Sequence, residues 1–153
     1  MVKVVIHCSD SSWGNAAIIS KWHTMKPPDG RGWSNIGYHY VILNGKLSAR
    51  LKNERYDGHL ETGRPLDEDG LVHPKEWGAH IAGHNKNSVG ICLIGRSGNF
   101  TIKQVNTLYR IVRELRKQFG EIEVQQHSDL DPVNKPHCAG LSIFFIDQLN
   151  TTT

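Results

Sequence analysis

No run in the 153-residue chain approaches the roughly 18 consecutive apolar residues that a membrane-spanning helix needs, so membrane insertion is not expected. The first apolar stretch breaks at once into Cys8, Ser9, Asp10, Ser11 and Ser12, too early for the core of a secretory signal, and the expectation is synthesis in a cytoplasm without an export signal. Cysteine is scarce and odd in number, with Cys8, Cys92 and Cys138 alone, which argues against a disulfide framework and leaves each thiol to be judged singly. Low-complexity tracts and long runs of one charge are absent, so a disordered tail is excluded. The net charge is only +3 and the basic residues are scattered; this lacks the footprint of a nucleic-acid binder, though mild basicity suits approach to an anionic polymer. Paired acidic residues of the kind a glycosidase uses are not evident. The length fits one domain spanning residues 1–153, expected to act as a monomer, in which a single core must also carry the site.

What is present is an alternation of strand and helix patterns. Val2–His7 is a β-branched apolar run, as expected of a strand covered on both faces. Ala16–Met25 reads as a helix with Ile18, Ile19, Trp22 and Met25 on one face, stopped by Pro27 and Pro28. Gly37–Leu43 reads as a strand, Asn44-Gly45 as a type I′ hairpin turn, and Lys46–Leu51 as the returning segment. Asp57-Gly58 signals a further turn before a short edge strand at His59–Thr62, and Gly63–Trp77 has the composition of a long surface loop. Ser88–Ile94 should be a central strand. The clearest element is a helix over Ile102–Phe119, with a Thr101/Gln104 capping box and Gly120 at its C-terminal cap. Glu121–Gln126 is a last strand ending at His127, followed by an irregular loop to Gly140 and a closing helix near Leu141–Leu149. The sum is an α/β fold, a mixed central β-sheet with helices on both faces.

Nine histidines are a surplus, and their positions matter more than their number. His7 and His127 each stand at the end of an expected strand, where open α/β sheets present functional groups to a crevice. Cys138 lies in the loop after His127. Two imidazoles and a thiolate form a donor set that zinc favours, and three protein ligands leave a fourth position open for water, as in catalytic sites. Spacing alone leaves the alternative open that these are hydrogen-bonded rim histidines and a buried thiol.

Five ordered blocks speak more specifically: Ile6-His7-Cys8-Ser9, Trp33-Ser34-Asn35-Ile36-Gly37-Tyr38-His39-Tyr40, Glu61-Thr62-Gly63-Arg64-Pro65, Gly78-Ala79-His80-Ile81-Ala82-Gly83-His84-Asn85, and Asn87-Ser88-Val89-Gly90-Ile91-Cys92-Leu93-Ile94-Gly95. In order and spacing they resemble the zinc-dependent N-acetylmuramoyl-L-alanine amidases, the family of phage amidase-type lysozymes, bacterial muropeptide amidases and animal peptidoglycan recognition proteins. The resemblance implies one Zn2+ per chain held by His7, His127 and Cys138, with Tyr38 and Lys135 as catalytic groups beside it. It implies hydrolysis of the amide between N-acetylmuramic acid and L-alanine, with peptidoglycan or a muropeptide as substrate. His80, His84 and Asn85 are then candidates for substrate binding. His39, alternating with Tyr38, should face the other side of the sheet as a structural residue, and His23 should be a surface or supporting residue.

Three departures from the family pattern stand out. Cys92 and Ile94 occupy the strand block in which some relatives carry a glutamate. The segments 46–56 and 67–77 are longer than in compact relatives and should reshape the groove rim. Lys135 stands two residues before His137 rather than two before Cys138, which makes His137 a rival third ligand. A phage or prophage endolysin, a muropeptide-recycling amidase of the bacterial cytoplasm, and a peptidoglycan-binding module without activity are the functions that fit the resemblance.

Overall fold

A computed structural model describes residues 1–64, 67 and 69–152; Pro65 of the third sequence block lies outside the described residues. In chain order the elements are β1 (Val2–Cys8), α1 (Ala16–Thr24), β2 (Tyr40–Lys46), β3 (Lys52–Thr62), a 3-10 turn (Pro74–Glu76), β4 (Ser88–Leu93), α2 (Ile102–Phe119), β5 (Ile122–Gln126), α3 (His127–Leu130) and α4 (Ile143–Thr151). The strands form one sheet in the order β3-β2-β4-β1-β5. Its β1, β2, β4 and β5 pair parallel, while β3 pairs antiparallel with β2 at the edge. The mixed sheet with helices on both faces is therefore as expected.

The layering follows from the crossovers. From β1 the chain passes through α1 to β2, two places toward one edge; from β4 it passes through α2 to β5, two places toward the other. Right-handed crossovers that travel in opposite directions place their helices on opposite faces. The strands alternate accordingly: Ile42, Ile91 and Leu93 pack with Leu108, Val112 and Leu115 of α2, whereas Val41, Leu43, Cys92 and Ile94 pack with Ile19 of α1. β4, central in the sheet, is buried at all six positions.

Helix α2 begins and ends where its capping box and Gly120 place it. The buried side of α2, however, includes an amide. Gln104 is fully buried; its Nε2 donates to the carbonyls of Ile42 (3.0 Å) and Ile94 (2.8 Å), and its Oε1 accepts from the Thr101 N–H (2.9 Å). It ties the helix start to β2 and to the residue that follows β4. Gln104→Ala strands two buried carbonyls and leaves a void, so it is expected to cost roughly 2–4 kcal/mol in chemical denaturation; a loss below about 1 kcal/mol would show that these bonds are replaceable.

Two turn expectations fail for one physical reason. Asn44 and Gly45 lie inside β2, which is irregular on both sides of Asn44, and the chain reverses instead at Leu47–Leu51 through a Leu47 N–H to Leu51 carbonyl bond of 2.9 Å. Asp57 and Gly58 likewise lie inside an unbroken β3. At Gly58 the first turn of α2 comes so near that a Cβ would sit 2.7 Å from the Lys103 carbonyl oxygen, and the Gly58 carbonyl accepts from Thr107 Oγ1 at 2.6 Å. The left-handed conformations at these glycines, φ of 84° and 77°, make irregularities in long strands rather than hairpin ends. The proposed strand from Gly37 also starts later, at Tyr40, so strand alternation does not govern Tyr38 and His39.

Candidate metal centre and cleft

Parallel pairing of β1 with β5 brings His7 beside His127, as sequence position anticipates. His7 is fully buried, paired with Cys92 of β4 and one residue past the last β1–β5 pair, Ile6 with Gln126. His127 opens the single turn α3, which is started by the Asp129 carboxylate accepting the Gln126 N–H at 2.9 Å. Cys138 is returned to the strand ends by a reciprocal pair of bonds: Gln126 Nε2 donates to the Leu141 carbonyl (3.1 Å) and the Leu141 N–H to Gln126 Oε1 (3.0 Å). The Ser128 N–H adds a bond to the Cys138 carbonyl at 2.6 Å.

The result is a compact donor set. Nδ1 of His7 and Nδ1 of His127 are 3.0 Å apart, and one donor atom each from His7, His127 and Cys138 lies within 4.8 Å of the other two. The Cys8 N–H donates to Cys138 Sγ at 3.3 Å. Burial is the main cause holding the His7 imidazole well below its ordinary pKa, with neighbouring His80 and His127 adding to it; burial and then Lys135 lower His127. Both rings are neutral near pH 7, the form that ligates a metal. A hydrogen bond with the Cys8 thiol, and then burial, raise the Cys138 thiol; a divalent cation reverses this by deprotonating a coordinating thiol outright. The donor chemistry therefore fits zinc. His137, the rival third ligand, is exposed on the cleft rim, and the sulfur of Cys138 is what joins the two imidazoles.

Around this centre opens a cleft of about 670 Å³. Tyr38 lines it with its ring 5.0 Å from that of His7, and burial, followed by the nearby thiols of Cys92, Cys138 and Cys8, holds its phenol well above the ordinary value, so it is a neutral O–H donor. Lys135 lies on the cleft wall in the loop that ends at Cys138, with the Cys138 N–H bonded to its carbonyl at 3.2 Å. His80 and Asn85 also line the cleft, whereas His84 is not among its lining residues. Asn85 Oδ1 accepts from the N–H groups of His80 (2.9 Å) and Ile81 (3.0 Å).

Several features were not anticipated. His23 is buried, its Nδ1 accepting the Gly37 N–H at 3.1 Å, and burial with help from Arg31 lowers it to about 4. The helical signal was available, since His23 follows Ile19 by four residues and so shares its inward face; Met25, placed on that face instead, is 44% exposed. Arg31 stacks over Trp33 at 5.2 Å on the cleft wall. His39 is structural, as expected: its Nε2 donates to the Glu76 carbonyl and its Nδ1 accepts from the Gly90 N–H, both at 3.0 Å. Cys92 and Ile94, in the place of the absent glutamate, are core residues packed under α1. No described residue of segments 46–56 or 67–77 lines the cleft, so the expected reshaping of its rim is not seen among the described residues.

A cleft at the carboxyl ends of parallel strands, floored by two histidines and a cysteine, defines an α/β domain suited to one open metal site. The model of the N-acetylmuramoyl-L-alanine amidase family matches residues 2–140, and the chain belongs to that family. It is 30% identical over 138 residues to the endolysin of Enterobacteria phage K11, covering 83% of this chain and 74% of that protein. To the endolysin of Escherichia phage T7 it is 27% identical over 139 residues, covering 84% and 76%. Among solved structures it resembles the N-acetylmuramoyl-L-alanine amidase LysC from Clostridium intestinale URNW, with a TM-score of 0.70 at 24% identity over 98% of this chain and 85% of that one. It also resembles bumblebee PGRP-SA, with a TM-score of 0.62 at 22% identity over 92% and 75%. These structural likenesses establish the fold.

Proposed function

We propose that this protein is a zinc-dependent N-acetylmuramoyl-L-alanine amidase that acts as an endolysin. The observation that carries the reading is the meeting of His7, His127 and Cys138 in one donor set on the floor of the cleft. These three residues would hold a single zinc, which when bound supplies Lewis-acid polarisation of the scissile carbonyl and activation of water. Tyr38 presents a neutral hydroxyl from the cleft wall to stabilise the oxygen that gains charge as the carbonyl is attacked, and Lys135 contributes a positive charge to the same end. Asn85, holding the turn at His80 and Ile81, is assigned to substrate contact. The full donor set disfavours a purely binding role, and no carboxylate stands in the strand block to serve as a separate base. The endolysin role rests on the relatives from phages K11 and T7. It implies synthesis in the cytoplasm and action on the wall after release. No described helix is long and apolar enough to cross a membrane.

Digestion of purified sacculi is expected to expose new L-alanine amino termini without new reducing sugars, and a chelator should abolish this until zinc is restored. New reducing ends would refute the amidase reading. Full activity in protein shown to be free of metal would refute the zinc.

A further inference from the structure

His80 lines the cleft, yet both of its ring nitrogens are engaged inward. It is 7% exposed; Nδ1 lies 3.0 Å from His7 Nε2, and Nε2 lies 3.3 Å from Ser88 Oγ. Nδ1 of His7 is the nitrogen that faces His127 Nδ1, so a metal held there would leave the proton of neutral His7 on Nε2. That Nε2–H would donate to Nδ1 of His80 at 3.0 Å, and the proton of neutral His80 would then stand on Nε2, 3.3 Å from the Ser88 hydroxyl, which can accept it. A relay from His7 through His80 to Ser88 thus matches ligation through Nδ1 of His7.

The ring of His80 is fixed by its surroundings as well as by its bonds. It lies against Gly90 of β4, where a Cβ would fall 2.5 Å from the ring, so a bare backbone is what admits it. Its own N–H is bonded to Asn85 Oδ1 at 2.9 Å, and the Gly90 N–H is taken by His39. With both ring nitrogens committed to the protein, the imidazole has no polar atom left for substrate.

We propose that His80 is a positioning residue for the metal, fixing the tautomer and ring plane of His7 so that Nδ1 of His7 is the ligating atom. The inference rests on the zinc reading above and adds a role that acts through His7. A metal-bound histidine that loses the acceptor for its second nitrogen can rotate and change tautomer, and the loss is read as weaker metal binding.

The test is zinc affinity, measured on the metal-stripped full chain by competition with a chromophoric chelator, for wild type, His80→Ala, His80→Phe and His80→Asn. His80→Ala is expected to bind zinc about 10–100-fold more weakly than wild type. His80→Phe keeps the ring volume without the acceptor and should weaken binding to the same degree, which preserves the test if the alanine variant fails to fold. His80→Asn places an amide oxygen near the position of Nδ1 and should recover most of the affinity. Cobalt-substituted protein should show shifted absorption bands in His80→Phe and near-native bands in His80→Asn. Native affinity in a folded His80→Ala or His80→Phe, or an asparagine variant as weak as phenylalanine, would overturn the relay while leaving the zinc site intact. Wild type that binds no zinc overturns the metal reading itself, and the relay with it.

Discussion

Cys138→Ser is expected to lose nearly all bound zinc and with it the amidase activity. The sulfur is the third atom of the donor set, and serine offers in its place a hydroxyl that does not ionise near neutral pH. Removal of mere outer-shell support weakens metal sites by about 10–100-fold, so loss of a ligand should exceed the upper end of that range. His137→Ala is the matched control. His137 is exposed on the rim two residues after Lys135, and its removal should leave metal content near wild type while trimming the rate at most several-fold, roughly 1 kcal/mol. Metal content by elemental analysis beside turnover on purified sacculi decides between them. Zinc retained in the serine variant and lost in the alanine variant would transfer the ligand role to His137.

Tyr38→Phe should lower kcat by about 10²–10³ while leaving KM and stability nearly unchanged, because only a donor to the developing oxyanion is removed. Burial keeps the phenol protonated through the neutral range, so the hydroxyl is available as a donor. The ring, packed 5.0 Å from His7 and 5.4 Å from His23, stays in place without its oxygen. Zinc affinity should be unaltered, which separates this variant from changes at His80 or Cys138. An unchanged kcat would reduce Tyr38 to a packing residue of the cleft wall.

Much of the site was legible because strand ends and helix caps are local signals. An apolar run that ends near His7, another that ends near His127, and the Thr101/Gln104 box each declare themselves within a few residues; β1 runs one residue further to Cys8, β5 stops at Gln126, and the capping box forms. Family resemblance joined Cys138 to the two histidines. Periodicity could not do so, since the loop that carries this cysteine has no period of its own.

The amino-acid sequence by itself determined the α/β class and the positions of the central strand β4 and the helix α2, because burial periodicity and capping are written in neighbouring residues. Only the tertiary structure decided what those residues meet. Glycine with positive φ suits a hairpin and a strand irregularity equally, and it was the approach of α2 to Gly58 that kept β3 unbroken. Gln104 was legible as a cap, but its bonds to Ile42 of β2 and to Ile94 just past the end of β4 reach 62 and 10 residues away in the chain. His80 likewise looked like a turn residue open to substrate. The absence of a side chain at Gly90 and the ring of His7, 73 positions distant, turn its ring nitrogens inward from the cleft wall, since hydrogen-bond partners of a buried ring are fixed by packing rather than by sequence neighbours.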